Sequence, residues 1–125
     1  MRALLVDDSR AIRSVLARIL GGLGYETSEA GNGQEALERI RQQGAFDVAL
    51  VDINMPVMNG IDFVTSGKAE RENAGMRIVM VSSETAGTII SRALLAGADE
   101  YVMKPFTRDV IVQKVEMNGI PVEVS

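Results

Sequence analysis

Asp7, Asp8, Asp52, Ser82 and Lys104 are the residues whose types and positions could do chemistry together. Each follows a short apolar run. Ala3 to Val6 leads into Asp7-Asp8-Ser9, and Val48 to Val51 leads into Asp52. Ile78 to Val81 leads into Ser82-Ser83-Glu84, and Tyr101-Val102-Met103 into Lys104-Pro105-Phe106. A continuous apolar run of strand length, without polar alternation, is how a strand buried on both faces reads. In an open parallel sheet the carboxyl ends of the strands form the ligand crevice. Carboxylates, a hydroxyl and an amine at equivalent strand ends would meet there. Clustered carboxylates repel and raise at least one pKa unless a cation intervenes. All-oxygen ligation favours a hard divalent ion, and Mg2+, which keeps waters and takes one or two carboxylates plus phosphate oxygens, suits such a set.

The intervening segments must position these groups. Ser9 reads as the N-cap of a helix with Ile12, Val15, Leu16, Ile19 and Leu20 inward and a solvated face of Arg10, Arg13 and Arg18. Gly21-Gly22 and Gly24 end it. Tyr25 to Ser28 reads as a short second strand. Asn32 with Glu35 three residues on opens a helix to about Gln42, burying Ala36, Leu37 and Ile40. The third strand is Val48 to Asp52, and Pro56, Asn59 and Gly60 break the chain after it. A third helix starts after Gly60 with Ile61 and Val64 inward. Its continuation through Thr65, Ser66, Gly67 and Lys68 offers little to bury, so a short or loosely packed helix is expected. Strand four is Arg77 to Val81. Helix four, Ala86 to Ala96, is capped by Ser83 or Thr85, draws its buried face from Ile89, Ile90, Ala93 and Leu94, and stops at Gly97. Strand five is Tyr101 to Met103. Helix five, Arg108 to Met117, has a thin stripe of Val110, Ile111 and Val115 and stops at Asn118-Gly119.

Strands alternating with helices imply a doubly wound α/β fold with a five-stranded parallel sheet. Two strand orders are common for such sheets. With order 2-1-3-4-5 the first and third strands are neighbours, about 4.8 Å apart, and Asp7, Asp8 and Asp52 come within reach of one ion.

Composition bounds the rest. A chain of 125 residues, 46% hydrophobic and 24% charged, fits one globular domain. The net charge of −4 offers no basic field to nucleic acid or to an anionic membrane. With no cysteine and no histidine, disulfides, zinc sites and histidine bases are absent. The N-terminus reads as a strand rather than a signal peptide, no run reaches spanning length, and a cytoplasmic location is the default.

Aspartates at strand–helix junctions are often only turn or cap residues, and one alone would be read that way. Asp7-Asp8, Asp52 with Met55-Pro56 and Gly60, Ser82, and Lys104-Pro105-Phe106 occur together in order. That set resembles the receiver domain of two-component response regulators, over essentially the whole chain, and most nearly the stand-alone, CheY-like type. The resemblance implies a flavodoxin-like (βα)5 fold of order 2-1-3-4-5, with residues 1–119 as the receiver domain and 120–125 as a short overhang without an output domain. It implies that Asp52 accepts a phosphoryl group from a sensor histidine kinase or phosphotransfer protein. Asp8, Asp52 and the Asn54 backbone carbonyl would ligate Mg2+ (or Mn2+), with Asp7 acting through water. Lys104, Ser82 and the Ser83 N–H would hold phosphoryl oxygens, across a cis Lys104–Pro105 bond. Ser82 and Tyr101 would form a switch in which Tyr101 turns inward as Ser82 moves. The changed surface would be helix four, strand five and helix five, facing a downstream protein. Helix one contacts kinases in relatives. Asn54 and Glu84 flank the path of the hydrolytic water in receivers, and this pair implies a short-lived signal.

Phosphoryl transfer needs positioning and charge neutralisation more than acid–base groups, which this set supplies. Two other classes compete. A haloacid-dehalogenase-type phosphatase also uses an aspartyl phosphate, but places Asp-x-Asp after one strand; here Asn54 holds the second position. A flavodoxin-like cofactor binder needs a phosphate loop after strand one, where Asp7-Asp8 would repel a cofactor phosphate. The expected protein is therefore a signalling switch that catalyses only its own phosphoryl transfer and dephosphorylation.

Overall fold

The structure, a computed structural model, describes residues 1–44, 46–67 and 75–117. Along them run β1 (Arg2–Val6), α1 (Arg10–Gly22), β2 (Glu26–Ala30), α2 (Gly33–Gln43) and β3 (Val48–Val51). There follow α3 (Gly60–Ser66), β4 (Arg77–Ser82), α4 (Gly87–Ala96), β5 (Glu100–Met103) and α5 (Arg108–Met117). Lys68, the Asn118-Gly119 helix stop and residues 120–125 lie outside the described residues.

The five strands pair in parallel in the order β2-β1-β3-β4-β5. Successive side chains of a strand point to opposite faces, so each strand feeds two cores. Leu4, Val6, Ala49, Val51, Ile78 and Met80 pack against α2, α3 and α4, meeting Leu37, Phe63 and Ala93. Ala3, Leu5, Leu50, Val79, Val81 and Val102 pack against α1 and α5, meeting Leu16, Leu20, Ile111 and Val115. Each Val, Leu, Ile, Phe or Met among them, fully buried, adds about 1.5–3 kcal/mol. These two layers hold the strand ends in register, with Val6 opposite Val51, Val51 opposite Met80 and Ser82 opposite Met103.

The caps form locally. Ser9 Oγ accepts from the Ile12 N–H at 3.3 Å. Asn32 accepts from the Glu35 N–H at 2.9 Å and donates to the Glu35 carboxylate at 3.1 Å. Asn59 accepts from the Asp62 N–H and starts α3.

Three readings are corrected. β2 runs Glu26–Ala30 rather than Tyr25 to Ser28, because pairing with β1 begins at Arg2–Glu26 and Tyr25 drops into the α1-side core. α4 has Ala86 as its N-cap with no side-chain cap; Ser83 and Thr85 are exposed, and the Glu84 carboxylate accepts from the Ala86 N–H instead. Val15 is exposed, since Leu16, Ile19 and Leu20 suffice for α1; of the four candidates on α4, Ala93 is buried, Ile89 and Ile90 are half-buried and Leu94 is exposed. α3 is short, as expected, ending at Ser66, and it is well packed: Phe63 and Val64 are buried, and Gly67 lies where a Cβ would be 3.3 Å from Leu37.

Candidate functional site

The site is assembled at the carboxyl end of the sheet. The Asp7 N–H donates to Ala30 O and the Asp52 N–H to Val6 O, so the β1 pairing to β2 and β3 carries both aspartates just past the last rung. Asp7 and Asp52 are buried, whereas Asp8 is exposed. One carboxylate oxygen from each of the three lies within 4.8 Å of the others. Lys104, at the end of β5, reaches across the sheet. Its Nζ donates to Asp7 Oδ2 at 2.8 Å and stands 3.4 Å from Asp52 Oδ2. The remaining oxygens are held locally: the Ser9 N–H donates to Asp7 Oδ1, and the Ile53 N–H to Asp52 Oδ1.

Burial raises the Asp52 pKa above the usual carboxylate value. Lys104 opposes that rise, Asp7 adds to it, and the Ile53 N–H opposes it. Burial alone would lower the Lys104 pKa; its bond to Asp7 and the charges of Asp52 and Asp7 reverse this and leave it raised. The lysine is thus held charged by the carboxylates it bridges. The donor set is hard oxygen throughout, and its residual charge is negative, which fits a hard divalent cation rather than a soft one.

The loop after β3 is built tightly against this end. The Gly60 N–H donates to Ile53 O, and a Cβ on Gly60 would collide with the Asp52 carbonyl oxygen. Glycine is therefore required for close approach rather than for its torsions. Asn54 is exposed, and Met55 and Met58 are partly exposed. Val57 has φ 67° and is 85% exposed, with the Met58 N–H donating to Pro56 O across it in a γ-turn. The turn is pinned to α2 by the Gly33 N–H, which donates to Met58 O. A β-branched residue in this region is strained, and nothing in the sequence marked it.

Ser82 is fully buried at the end of β4, and its Oγ accepts from the Glu84 N–H at 3.1 Å. The Tyr101 phenol donates to Glu84 O at 2.9 Å and packs on the α4-side core. Burial raises its pKa, while a hydrogen bond with Ser82 works against that. Tyr101 is half-buried in this arrangement. The Lys104–Pro105 bond is cis. Beside Lys104 lies a groove of about 430 Å³ lined by Ile12, Val15, Ser83, Lys104, Pro105 and Phe106.

Arg13 was read as part of a solvated face, and this is corrected. Its side chain is only 16% exposed, and it bonds Glu29 and the Asp7 backbone. The signal was available: an arginine one turn after a cap that follows an acidic pair faces the strand end.

No described helix is long and apolar enough to cross a membrane. Residues 3–116 match the Response regulator receiver domain family. The chain is 37% identical to the chemotaxis protein CheY1 of Helicobacter pylori over 118 residues, which is 94% of this chain and 95% of that one. A CheY-like receiver domain protein from Methanospirillum hungatei superposes with a TM-score of 0.82 at 34% identity, covering 93% of this chain and 90% of that one. CheY of Borrelia burgdorferi, in a CheX–CheY–BeF3–Mg2+ complex, superposes with a TM-score of 0.86 at 26% identity, covering 96% and 90%. With a family model that matches residues 3–116 and a relative 37% identical over 94% of its length, the chain belongs to the response regulator receiver domain family.

Proposed function

We propose that Asp52 is the phosphoryl acceptor of this two-component receiver. The observation that carries the reading is the Lys104 amine bridging buried Asp7 and Asp52 beside exposed Asp8. Asp8, Asp52 and the Asn54 carbonyl would hold Mg2+ (or Mn2+), with Asp7 acting through water. When bound, the ion supplies charge neutralisation for the phosphoryl oxygens. Asp52 Oδ1 is tied to the Ile53 N–H, which fixes the carboxylate plane for in-line attack. Lys104 supplies a point charge to a phosphoryl oxygen, and the Ser82 hydroxyl and Ser83 N–H supply neutral donors.

Ser82, Glu84 and Tyr101 would transmit the change. Ser82 Oγ holds the Glu84 N–H and Glu84 O holds the Tyr101 phenol, so a shift of Ser82 toward Asp52 moves the backbone that anchors Tyr101. The readout face is α4–β5–α5, where Leu94, Met103 and Val110 are exposed. The phosphodonor, a histidine kinase or phosphotransfer protein, would dock an apolar helix in the groove between Ile12, Val15 and Phe106. The Borrelia relative's complex with CheX supports a protein partner for the switched state. Asn54 is exposed where it can orient water, and Glu84 keeps that approach polar, although its carboxylate also bonds the Ala86 N–H. Self-dephosphorylation within minutes is expected.

The test is intact-mass measurement after incubation with acetyl phosphate and Mg2+. Wild type should gain one phosphoryl group and Asp52→Asn none; equal stable labelling of both sinks the assignment. Turnover of phosphomonoesters would favour a phosphatase instead. Decay after donor removal over hours, or an Asn54→Lys, Glu84→Leu pair that decays no more slowly than wild type, would overturn the lifetime.

A further inference from the structure

The acidic site has a support that reaches it from behind. Arg13 lies one turn into α1, and unlike Arg10 and Arg18 it is mostly covered. Its Nη1 donates to the Asp7 backbone oxygen at 2.6 Å, and its Nε donates to Glu29 Oε1, near the end of β2, at 2.9 Å. Val6 and Ala30 form the last rung between β1 and β2, so the Asp7 carbonyl lies just beyond the ladder. The guanidinium takes the place of the next backbone donor. Gly31 lies beside it: a Cβ there would be in ordinary contact with Arg13 Nη1, at 3.8 Å, and tight only against Glu35 Oε2, at 3.2 Å.

A peptide unit is planar, so fixing the Asp7 carbonyl fixes every atom from the Asp7 Cα to the Asp8 Cα. Asp7 has further restraints on its side chain, from Lys104 and the Ser9 N–H. Asp8 is exposed, so its placement depends on the backbone that carries it. A guanidinium presents a rigid fork, and Glu29 holds one arm while the other meets Asp7. Both bonds are charge-assisted, since the donor is ionised.

We propose that Arg13 is a positioning residue for the acidic site, orienting the Asp7–Asp8 peptide so that the Asp8 carboxylate is pre-set for a divalent cation, with Glu29 as the anchor of the guanidinium. The proposal rests on the reading that this cluster binds Mg2+. It makes Arg13 act on cation affinity, not on the chemical step. Partners that orient metal ligands typically carry about 10–100-fold of metal affinity, and the backbone route places Arg13 at the lower end, about tenfold.

The experiment is a calorimetric Mg2+ titration of wild type, Arg13→Gln, Glu29→Ala and Asp8→Ala, with amide and carbonyl NMR shifts of the metal-free proteins. Arg13→Gln should bind Mg2+ about tenfold more weakly and Glu29→Ala about threefold more weakly, and Asp8→Ala should lose binding. Saturating Mg2+ should restore the acetyl phosphate labelling rate of Arg13→Gln but not that of Asp8→Ala. Without metal, the Asp7 carbonyl and Asp8 amide resonances should move in Arg13→Gln. Wild-type Mg2+ affinity in Arg13→Gln overturns the proposal; should that variant not fold, wild-type affinity in Glu29→Ala does so. If wild type itself binds no Mg2+, the functional reading fails. In that case unmoved Asp7 and Asp8 resonances in Arg13→Gln would separately remove the orienting role.

Discussion

Replacing Asp52 by asparagine should make the metal-free protein more stable at neutral pH. The carboxylate is 7% exposed and shares its surroundings with Asp7 and Asp8. At an effective dielectric constant of about 20, the 3.4 Å separation from Lys104 is worth about 5 kcal/mol of attraction. Repulsion from Asp7 across at most 4.8 Å is worth at least about 3.5 kcal/mol on the same scale, and Asp8, being exposed, adds less. Coulomb terms therefore nearly cancel, and the desolvation of a buried carboxylate, several kcal/mol, decides the sign. That agrees with a pKa raised first by burial. The asparagine keeps an acceptor for the Ile53 N–H, so little else is lost. A net gain of about 1–2 kcal/mol, or about 3–6 °C in Tm, follows. Because the folded-state pKa is raised above the ordinary 3.8, the wild-type penalty is complete above the folded pKa. It disappears as pH falls through that value toward 3.8, so the advantage of the variant should vanish in acid. Urea denaturation in EDTA at pH 7.5 and near pH 4 measures both. With Mg2+ at about 100 times its Kd, binding stabilises wild type by about 2.7 kcal/mol and the order should invert. A variant no more stable than wild type in EDTA at pH 7.5, or equally favoured at both pH values, would refute the reasoning.

Lys104→Met should cost about 3 kcal/mol in EDTA at pH 7, because it leaves Asp7 and Asp52 buried without their shared cation. The Lys104 pKa is raised, so its contribution is complete below 10.5 and fades as pH rises through the folded value, which a urea series at alkaline pH would follow. Val57→Asn should stabilise by about 1 kcal/mol in thermal melts, since asparagine tolerates φ 67° and the side chain is exposed. Gly60→Ala should cost about 2 kcal/mol or more and shift the Asp52 and Ile53 amides, because its Cβ meets the Asp52 carbonyl.

Most of the fold was legible because its signals are local. Val48 to Val51 is an apolar tetrapeptide with no polar alternation, and it is the buried central strand. Ser9 and Asn32 cap the helices they precede. The misplaced elements lack such signals. β2 is Glu-Thr-Ser-Glu-Ala, an edge strand held by its rungs to β1 rather than by its own side chains, so only tertiary pairing sets its register. α4 opens without a side-chain cap, and sequence offers two hydroxyls nearby that go unused. At the site, Asp7, Asp8, Asp52 and Lys104 could be brought together from strand ends alone. The anchoring of Tyr101 could not be read, because it depends on a backbone carbonyl, Glu84 O, whose direction no residue type announces, whereas Arg13, one turn after a cap that follows an acidic pair, was placed to face the strand end.

Charge explains why these parts belong to one device. Three carboxylates against one amine leave two net negative charges at the strand ends, and one divalent cation cancels them. A phosphoryl group on Asp52 then adds charge that neither the ion nor Lys104 has left to balance. A neutral donor stands at the end of β4, the Ser82 hydroxyl, whose oxygen already accepts from the Glu84 N–H. Moving that hydroxyl pulls on Glu84, and Glu84 O is what holds the Tyr101 phenol. A ligand can shift such an equilibrium only by contacts that differ between the two states. Tyr101 is already partly packed against the α4-side core, so such a shift would act on a ring held by the backbone that moves rather than on a free one.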